Sequence, residues 1–203
     1  MNIGTMEIKV ATYNCHGLPR DGKKLLLRPD LVDVITSNQI ICLQETWYSK
    51  QDLESLNSLV QNYHGFGVAT TDYSQGLING HPPGGVAIMW HEDMDACVKP
   101  IVTNCDWLIG LEIELGNKKC VLLNVYMPYY CPDNRELYVE KLNEILTELN
   151  EMEHTCFSVL GDWNANVNSV DLSFGPNMIE FCNENNLIIS SQELLEMDSF
   201  SNL

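Results

Sequence analysis

The sequence predicts an α/β protein, built either as two packed sheets flanked by helices or as one mixed sheet. Two observations predict this class. Apolar runs of strand length recur along the chain and are separated by turn-forming residues. Segments with the apolar period of a helix lie between some of these runs. The pattern leaves both sheet arrangements open.

Eight apolar runs predict β-strands. They cover 7–13, 39–44, 65–70, 84–90, 107–115, 119–126, 155–160 and 187–191. Gly116-Asn117-Lys118 joins the fifth run to the sixth and indicates a hairpin turn. The stretch 72–83 is rich in turn formers and predicts a surface loop.

The clearest predicted helix covers 134–152, where Asp133 and Glu136 form a pattern similar to a capping box. Five apolar side chains recur along it every three or four residues and line one face: Tyr138, Leu142, Ile145, Leu149 and Met152. Shorter helices are predicted at 29–37, 51–61 and 176–185. Proline at the first helical position supports the first and the last of these.

Length and composition indicate one globular domain over residues 1–203. A chain of this length buries roughly 70% of the surface that its unfolded form exposes. Its 45% hydrophobic and 19% charged residues exclude a disordered chain. Every apolar run is shorter than the ~18 residues of a membrane span, and Lys9 interrupts the first one. We therefore expect neither a membrane span nor a signal peptide.

Acidic residues far outnumber basic ones. The 28 Asp and Glu against 11 Lys and Arg give a net charge of −17, and no Lys or Arg follows Lys141. Non-specific DNA binding depends on basic residues that neutralise phosphates, so we expect such binding to be weak. One loop-like stretch concentrates four basic residues, which either contact a DNA backbone or form a solvated face. These are Arg20, Lys23, Lys24 and Arg28.

The eight cysteines show no C-x-x-C pair, which gives no support to a zinc ribbon or a thioredoxin-like site. Cys42, Cys120 and Cys156 lie inside apolar runs, where cysteine behaves as a small hydrophobic residue. The sequence also contains no N-x-[ST] glycosylation acceptor. We therefore expect a reduced intracellular protein, nuclear or cytoplasmic, and not a secreted one.

Several apolar runs end in a polar residue that a buried strand would not choose. Asn14, Glu45, Asp162 and Asn164 stand at or just after such ends. Strand ends on a rigid sheet are a usual place for catalytic groups, and an oxygen-rich set of side chains suits Mg²⁺. One such residue alone is more simply a strand cap or a turn former. Four together favour a site.

Five motifs resemble the endonuclease/exonuclease/phosphatase (DNase I-like) superfamily: YNCHGL, LQETW, GGVAIMW, NVYMP and LGDWNAN. In their amino-acid sequence these motifs are most similar to the endonuclease domains of non-LTR (LINE-type) retrotransposons. The segment FCNENNLIISS is similar to that group as well. The resemblance runs from Val10 to about Phe200. It implies a four-layered α/β sandwich of two packed mixed sheets flanked by helices. It also implies Mg²⁺-dependent hydrolysis of DNA phosphodiester bonds, with Mn²⁺ as the alternative cation.

The resemblance implies a role for each matched residue. Glu45 would ligate the metal, and Asn14 would help to hold the metal and the phosphate. Tyr126 would donate a hydrogen bond to the scissile phosphate. Asp162 would orient or deprotonate the attacking water, and Asn164 would fix Asp162 or the phosphate. These roles suit phosphoryl transfer, which needs positioning and charge neutralisation more than covalent chemistry.

The family's terminal Ser-Asp-His motif does not occur in this sequence. We therefore expect a domain that is incomplete at its C-terminus, with little activity by itself and a sheet edge that a partner would cover. The five histidines are expected in surface or loop positions, His16 nearest the site. His81 and Trp163 are the weaker candidates for substrate contact.

Two alternatives to an endonuclease stay open. The first is a catalytically defective retrotransposon remnant that acts through protein contacts. The second is an enzyme of the phosphatase or phospholipase branch of the same superfamily. The similarity of the motifs to LINE-type sequences disfavours this second alternative.

Overall fold

The structure, a computed structural model, describes residues 7–72, 84–168 and 173–190. The chain divides into two compact units. The first comprises Met1–Met127 and Thr147–Trp163, and the second comprises Pro128–Leu146 and Asn164–Leu203. Both β-sheets lie in the first unit.

The first sheet has four strands in the order β1-β2-β4-β3. These strands are β1 (Val10–Asn14), β2 (Ile40–Gln44), β3 (Tyr63–Val68) and β4 (Val86–His91). Strands β1 and β2 run parallel, whereas β4 pairs antiparallel with both β2 and β3. The sheet is therefore mixed.

The second sheet is also mixed and has the order β5-β6-β7-β8. Its strands are β5 (Val98–Val102), β6 (Leu108–Leu115), β7 (Lys118–Tyr126) and β8 (Cys156–Asp162). Only β7 and β8 pair in parallel among these described strands. Strand β5 was not predicted, because Pro100 and exposed neighbours break its apolar pattern. The strand predicted at 187–191 is wrong over 187–189, which lie in no strand or helix.

The helices are α1 (Gly22–Leu25), α2 (Pro29–Thr36), α3 (Leu56–Leu59), α4 (Arg135–Glu151) and α5 (Gly175–Glu184). Helices α2, α4 and α5 match predicted segments closely, whereas α1 was not predicted. The helix predicted at 51–61 is split, since its first part is a 3₁₀ helix over Lys50–Ser55. Of the loop predicted at 72–83, residues 73–83 lie outside the described residues. No helix in the described ranges is long and apolar enough to cross a membrane.

The two sheets pack face to face over a shared apolar core. Ile40 and Ile88 of the first sheet meet Ile109 and Leu111 of the second in one buried cluster. The opposite face of the first sheet packs against α1, α2 and α3 in another cluster, which includes Leu31. Strand β2 is buried on both faces and therefore reads as a continuous apolar run. This architecture confirms the predicted class of two mixed sheets with flanking helices.

The second unit has its own aromatic packing. Tyr138 of α4 and Phe174, just before α5, stack with ring centroids 4.1 Å apart. Tyr130 meets the same phenylalanine edge-on, with centroids 5.1 Å apart. Both Tyr138 and Phe174 are almost completely buried.

Candidate active site

Polar residues at four strand ends meet in one hydrogen-bonded cluster. The amide nitrogen Nδ2 of Asn14 donates to Oε1 of Glu45 at 2.8 Å and to Oδ2 of Asp162 at 2.9 Å. The Tyr126 hydroxyl donates to the same Glu45 oxygen at 3.2 Å. Asn14 and Glu45 stand at the end of β1 and just after β2, whereas Tyr126 and Asp162 end β7 and β8. We call these four residues the carboxylate cluster.

The parallel pairs of strands explain why these residues meet. Asn14 pairs in register with Gln44 of β2, the residue before Glu45. Tyr126 likewise pairs in register with Asp162. Because parallel strands end at the same edge of a sheet, each sheet presents two polar residues there. Packing of the two sheets then brings the edges together.

The loop that carries Glu45 has an unusual backbone. Glu45 and Trp47 have φ values of 52° and 55°, and His16 in the neighbouring loop after β1 has a φ of 43°. All three values lie in the left-handed region, which costs free energy for residues other than glycine. Backbone hydrogen bonds hold the loop on both sides. The Gly17 nitrogen donates to the Glu45 carbonyl at 2.8 Å, and the Trp47 nitrogen donates to the Gly84 carbonyl at 3.0 Å. Such residues cluster at functional sites, which is consistent with a site here.

His16 joins the cluster from an exposed loop. Its Nδ1 lies 2.8 Å from Oε2 of Glu45, and its side chain is 72% exposed. Its backbone nitrogen donates to Oδ1 of Asn14 at 3.2 Å. His16 was expected in a loop near the site, but its contact with Glu45 was not predicted. The available signal was its position two residues after Asn14.

The surroundings favour an ionised Glu45 and a protonated Tyr126. Burial by itself raises the pKa of Glu45, but hydrogen bonds from Asn14 and His16 outweigh it and lower that pKa overall. Burial and the nearby charge of Glu45 raise the pKa of Tyr126 to about 12. The cluster therefore presents a carboxylate and a hydroxyl donor at neutral pH.

Two buried side-chain amides, one on each sheet, are hydrogen-bonded to each other next to the carboxylate cluster. Gln44 Nε2 donates to Asn124 Oδ1 at 2.7 Å. Asn124 Nδ2 donates to the carbonyl oxygens of Leu43 and Ala87 at 3.1 Å and 2.9 Å. These contacts join β7 to the first sheet next to the residues that carry the cluster. Neither amide was predicted as part of the site, although Asn124 lies within an apolar run and Gln44 ends one.

Gly161 allows β8 to approach β7 at the cluster. Its φ is 141°, and a Cβ placed there would collide with the backbone of Val125. Glycine avoids both the strain and the collision. The position of Asp162 opposite Tyr126 therefore depends on the glycine that precedes it in the G-D-W-N motif.

Two further predicted site residues follow Asp162 directly in the chain. Asn164 begins the second unit and has a φ of 48°, and Trp163 is half-buried. Their predicted roles stay predictions. His81 lies outside the described residues.

The basic stretch is largely paired within the chain. Part of it forms the one-turn helix α1 and not a loop. Three of its four cations lie near carboxylates of this chain. The pairs are Arg20 with Asp52 at 2.8 Å, Lys24 with Asp21 at 3.8 Å, and Arg28 with Asp30 at 3.2 Å. Lys23 is exposed. This pairing reduces the positive charge available to phosphates.

The donor set of the carboxylate cluster fits a hard, partly hydrated cation. Two carboxylates and the Asn14 amide oxygen are oxygen donors, which Mg²⁺ prefers. In the part of the chain that the structure describes, no group of three or more His, Cys, Asp or Glu side chains could hold a metal. Mg²⁺ usually keeps several waters and needs only one or two carboxylates, so the cluster is compatible with it.

Two packed mixed sheets with outer helices define the DNase I-like fold class. The chain belongs to the Endonuclease/Exonuclease/phosphatase family, whose model matches residues 11–179. This match confirms the superfamily that the sequence motifs indicate. A search of the curated proteins gave no match to the sequence.

Solved structures share this fold. TDP2 from Caenorhabditis elegans superposes with a TM-score of 0.54 and 20% identity over 82% of this chain and 50% of that one. An AP endonuclease from Archaeoglobus fulgidus superposes with a TM-score of 0.51 and 18% identity, over 78% of this chain and 58% of that one. The 3′ phosphatase NExo from Neisseria, bound to a product DNA hairpin, superposes with a TM-score of 0.52 and 14% identity. This superposition covers 78% of this chain and 58% of that one. This chain thus spans 50–58% of the length of these three structures.

Proposed function

We propose that this chain is an endonuclease domain of LINE-type retrotransposon origin that hydrolyses DNA phosphodiester bonds. Mg²⁺ is the proposed cofactor, with Mn²⁺ as the alternative. The observation that supports this function is the carboxylate cluster, in which Asn14 links Glu45 to Asp162. Membership of the family and the product DNA in the NExo structure support DNA as the substrate.

In this proposal Glu45 and Asn14 hold the cation. A bound divalent cation would supply neutralisation of the charge that develops on the phosphate. The lowered pKa of Glu45 favours the ionised carboxylate that metal ligation requires. The Tyr126 hydroxyl stays protonated, because its pKa is raised to about 12, and it donates to an oxygen of the scissile phosphate.

Asp162 is the proposed group that orients the attacking water and accepts its proton. The Asn14 amide group donates to both Asp162 and Glu45, which sets the orientation of the two carboxylates and offsets their mutual repulsion. Asn164 is proposed to fix Asp162 or the phosphate.

DNA contact is assigned, in this proposal, to Trp163, His81, Arg20, Lys23 and Lys24. The net charge of −17 and the internal pairing of Arg20 and Lys24 make non-specific affinity weak. Few free cations make few contacts with phosphates, so cleavage should depend only weakly on the salt concentration.

Nicking of a supercoiled plasmid tests the proposal. The purified protein, whose sequence has no Ser-Asp-His motif, should nick slowly in Mg²⁺ and not in EDTA, and Glu45→Ala should abolish nicking. Glu114→Ala removes an exposed carboxylate on β6 and is the matched control, so it should nick like the wild type. Absence of nicking from a folded protein would overturn the proposal and favour a catalytically defective remnant.

A second assay tests whether the chain belongs instead to the phosphatase or phospholipase branch of the superfamily. An inositol phosphate or a sphingolipid, incubated with the same protein, should release no product if DNA is the substrate. Turnover of either one without plasmid nicking would assign the chain to the phosphatase or phospholipase branch.

A further inference from the structure

Two cysteines face each other at the end of the second sheet that lies away from the carboxylate cluster. Cys120 of β7 and Cys156 of β8 are partners in the parallel register. Their Sγ atoms lie 2.7 Å apart. Next to them, the Thr155 nitrogen donates to the Lys119 carbonyl at 2.7 Å, so the strand pairing continues past the cysteines.

The backbone already suits a disulfide bond. Neighbouring strands are about 4.8 Å apart, which falls within the Cα separations of about 4.4–6.8 Å found in disulfides. Residues in register on neighbouring strands also project their side chains to the same face of the sheet. Joining the two sulfurs therefore requires rotation of side chains and little movement of the strands.

The two thiols differ in their access to solvent. Cys156 is exposed, whereas Cys120 is partly buried against the core between the sheets. Burial, followed by the contact with Cys156, raises the pKa of Cys120 to about 11. A reagent from solvent therefore meets Cys156 first, and Cys120 is placed to react with whatever is attached there.

We propose that Cys120 and Cys156 form a thiol–disulfide exchange site that takes glutathione disulfide as its oxidant. The Cys156 thiolate attacks one sulfur of glutathione disulfide, forming a mixed disulfide and releasing one glutathione, which takes up the proton lost by Cys156. The Cys120 sulfur then attacks the Cys156 sulfur and releases the second glutathione with the proton of Cys120. Overall, two protein thiols are oxidised to one disulfide, and one glutathione disulfide is reduced to two thiols.

The exchange site is separate from the proposed hydrolytic function. Cys156 opens the seven-residue strand that Asp162 ends, so the two residues are roughly 20 Å apart at about 3.3 Å per residue. The new bond would tie β7 to β8, the strands that carry Tyr126 and Asp162 at their other ends. Oxidation is therefore expected to raise the urea midpoint of unfolding, and reduced glutathione should reverse the rise.

Peptide mass mapping of the whole protein tests the proposal. The protein is incubated with glutathione disulfide, alkylated with N-ethylmaleimide at mildly acidic pH, which also stops the exchange, and digested without reduction. We expect a peptide joined through Cys120 and Cys156, which is lost after treatment with reduced glutathione. Cys120→Ser should retain glutathione on Cys156, because the resolving thiol is gone. Cys131→Ser, a matched control outside the pair, should retain the joined peptide.

Wild-type protein alone can overturn the proposal. Full alkylation of both Cys120 and Cys156 in folded protein after this incubation would exclude the exchange site. So would a joined peptide that forms only when urea is present during the oxidation. A circular dichroism spectrum of each variant shows whether it is folded, and the wild-type map decides the question if a variant is not.

Discussion

Replacing Asn124 by leucine is expected to destabilise the protein by about 3 kcal/mol or more. Asn124 is fully buried and takes part in three hydrogen bonds, with Gln44 and with the carbonyl oxygens of Leu43 and Ala87. Leucine is close to asparagine in shape, so the loss of stability comes from the missing hydrogen bonds and not from changed packing. Each such bond contributes about 1 kcal/mol net, and partners left unpaired in the core add to the cost.

Urea unfolding followed by tryptophan fluorescence measures this loss. The midpoint should fall while the slope of the transition stays constant, because the surface exposed on unfolding is unchanged. Asn117→Ala, at an exposed position of the turn between β6 and β7, is the matched control and should stay within about 0.5 kcal/mol of the wild type. Combining Asn124→Leu with Gln44→Leu should cost less than the sum of the two, since they share a hydrogen bond.

A loss below about 1 kcal/mol would refute the reasoning. It would mean that Gln44 and the two carbonyl groups find other partners once Asn124 is gone. Strict additivity in the double variant would contradict the coupling of the two amides in the same way. Either result would show that this buried bridge does not hold the sheets together beneath the carboxylate cluster.

Three further predictions follow from the cluster and its surroundings. Gly161→Ala should lower the free energy of unfolding by at least about 2 kcal/mol in the same urea experiment, because its methyl group meets the Val125 backbone at a φ that suits only glycine; a wild-type midpoint would argue against this contact. Tyr126→Phe should slow Mg²⁺-dependent plasmid nicking about tenfold or more, since one hydrogen-bond donor is lost, and unchanged nicking would exclude Tyr126 as the phosphate donor. Hydrogen bonds from Arg28 and then Tyr13 lower the pKa of Asp30 from 3.8 to about 2, so their stabilising effect is present above pH 3.8 and is lost as the pH falls towards 2. In acid titrations monitored by circular dichroism, Asp30→Asn should depend less on pH across that window than the wild type, and an identical profile would contradict the assignment.

The strands and helices were largely predictable because their signals are local. The apolar runs of β2 and β4 and the repeating apolar face of α4 can be read over a few neighbouring residues. Strand β5 escaped prediction because its pairing with β6, and not its own pattern, makes it a strand. The run at 187–191 has the amino-acid composition of a strand, yet no strand forms over 187–189. Composition alone does not decide whether a segment pairs with a neighbouring strand.

The candidate site was predictable as a set of residues but not as a geometry. Polar residues after apolar runs indicated Asn14, Glu45 and Asp162, and the motif NVYMP indicated Tyr126. Their hydrogen bonds could not be derived in this way, because they depend on how the two sheets pack. The support from Asn124 was missed for the same reason, since its partners lie on the other sheet.

By itself, the sequence determined most of the strands, the α/β class and the family, because apolar periodicity and the order of motifs are properties of the chain. Only the tertiary structure decided that Asn14 bridges to Asp162 across 148 positions, and that Cys120 lies in register with Cys156. Contacts between distant segments are set by strand register and sheet packing, which depend on the whole core. A pattern read along one segment does not contain them.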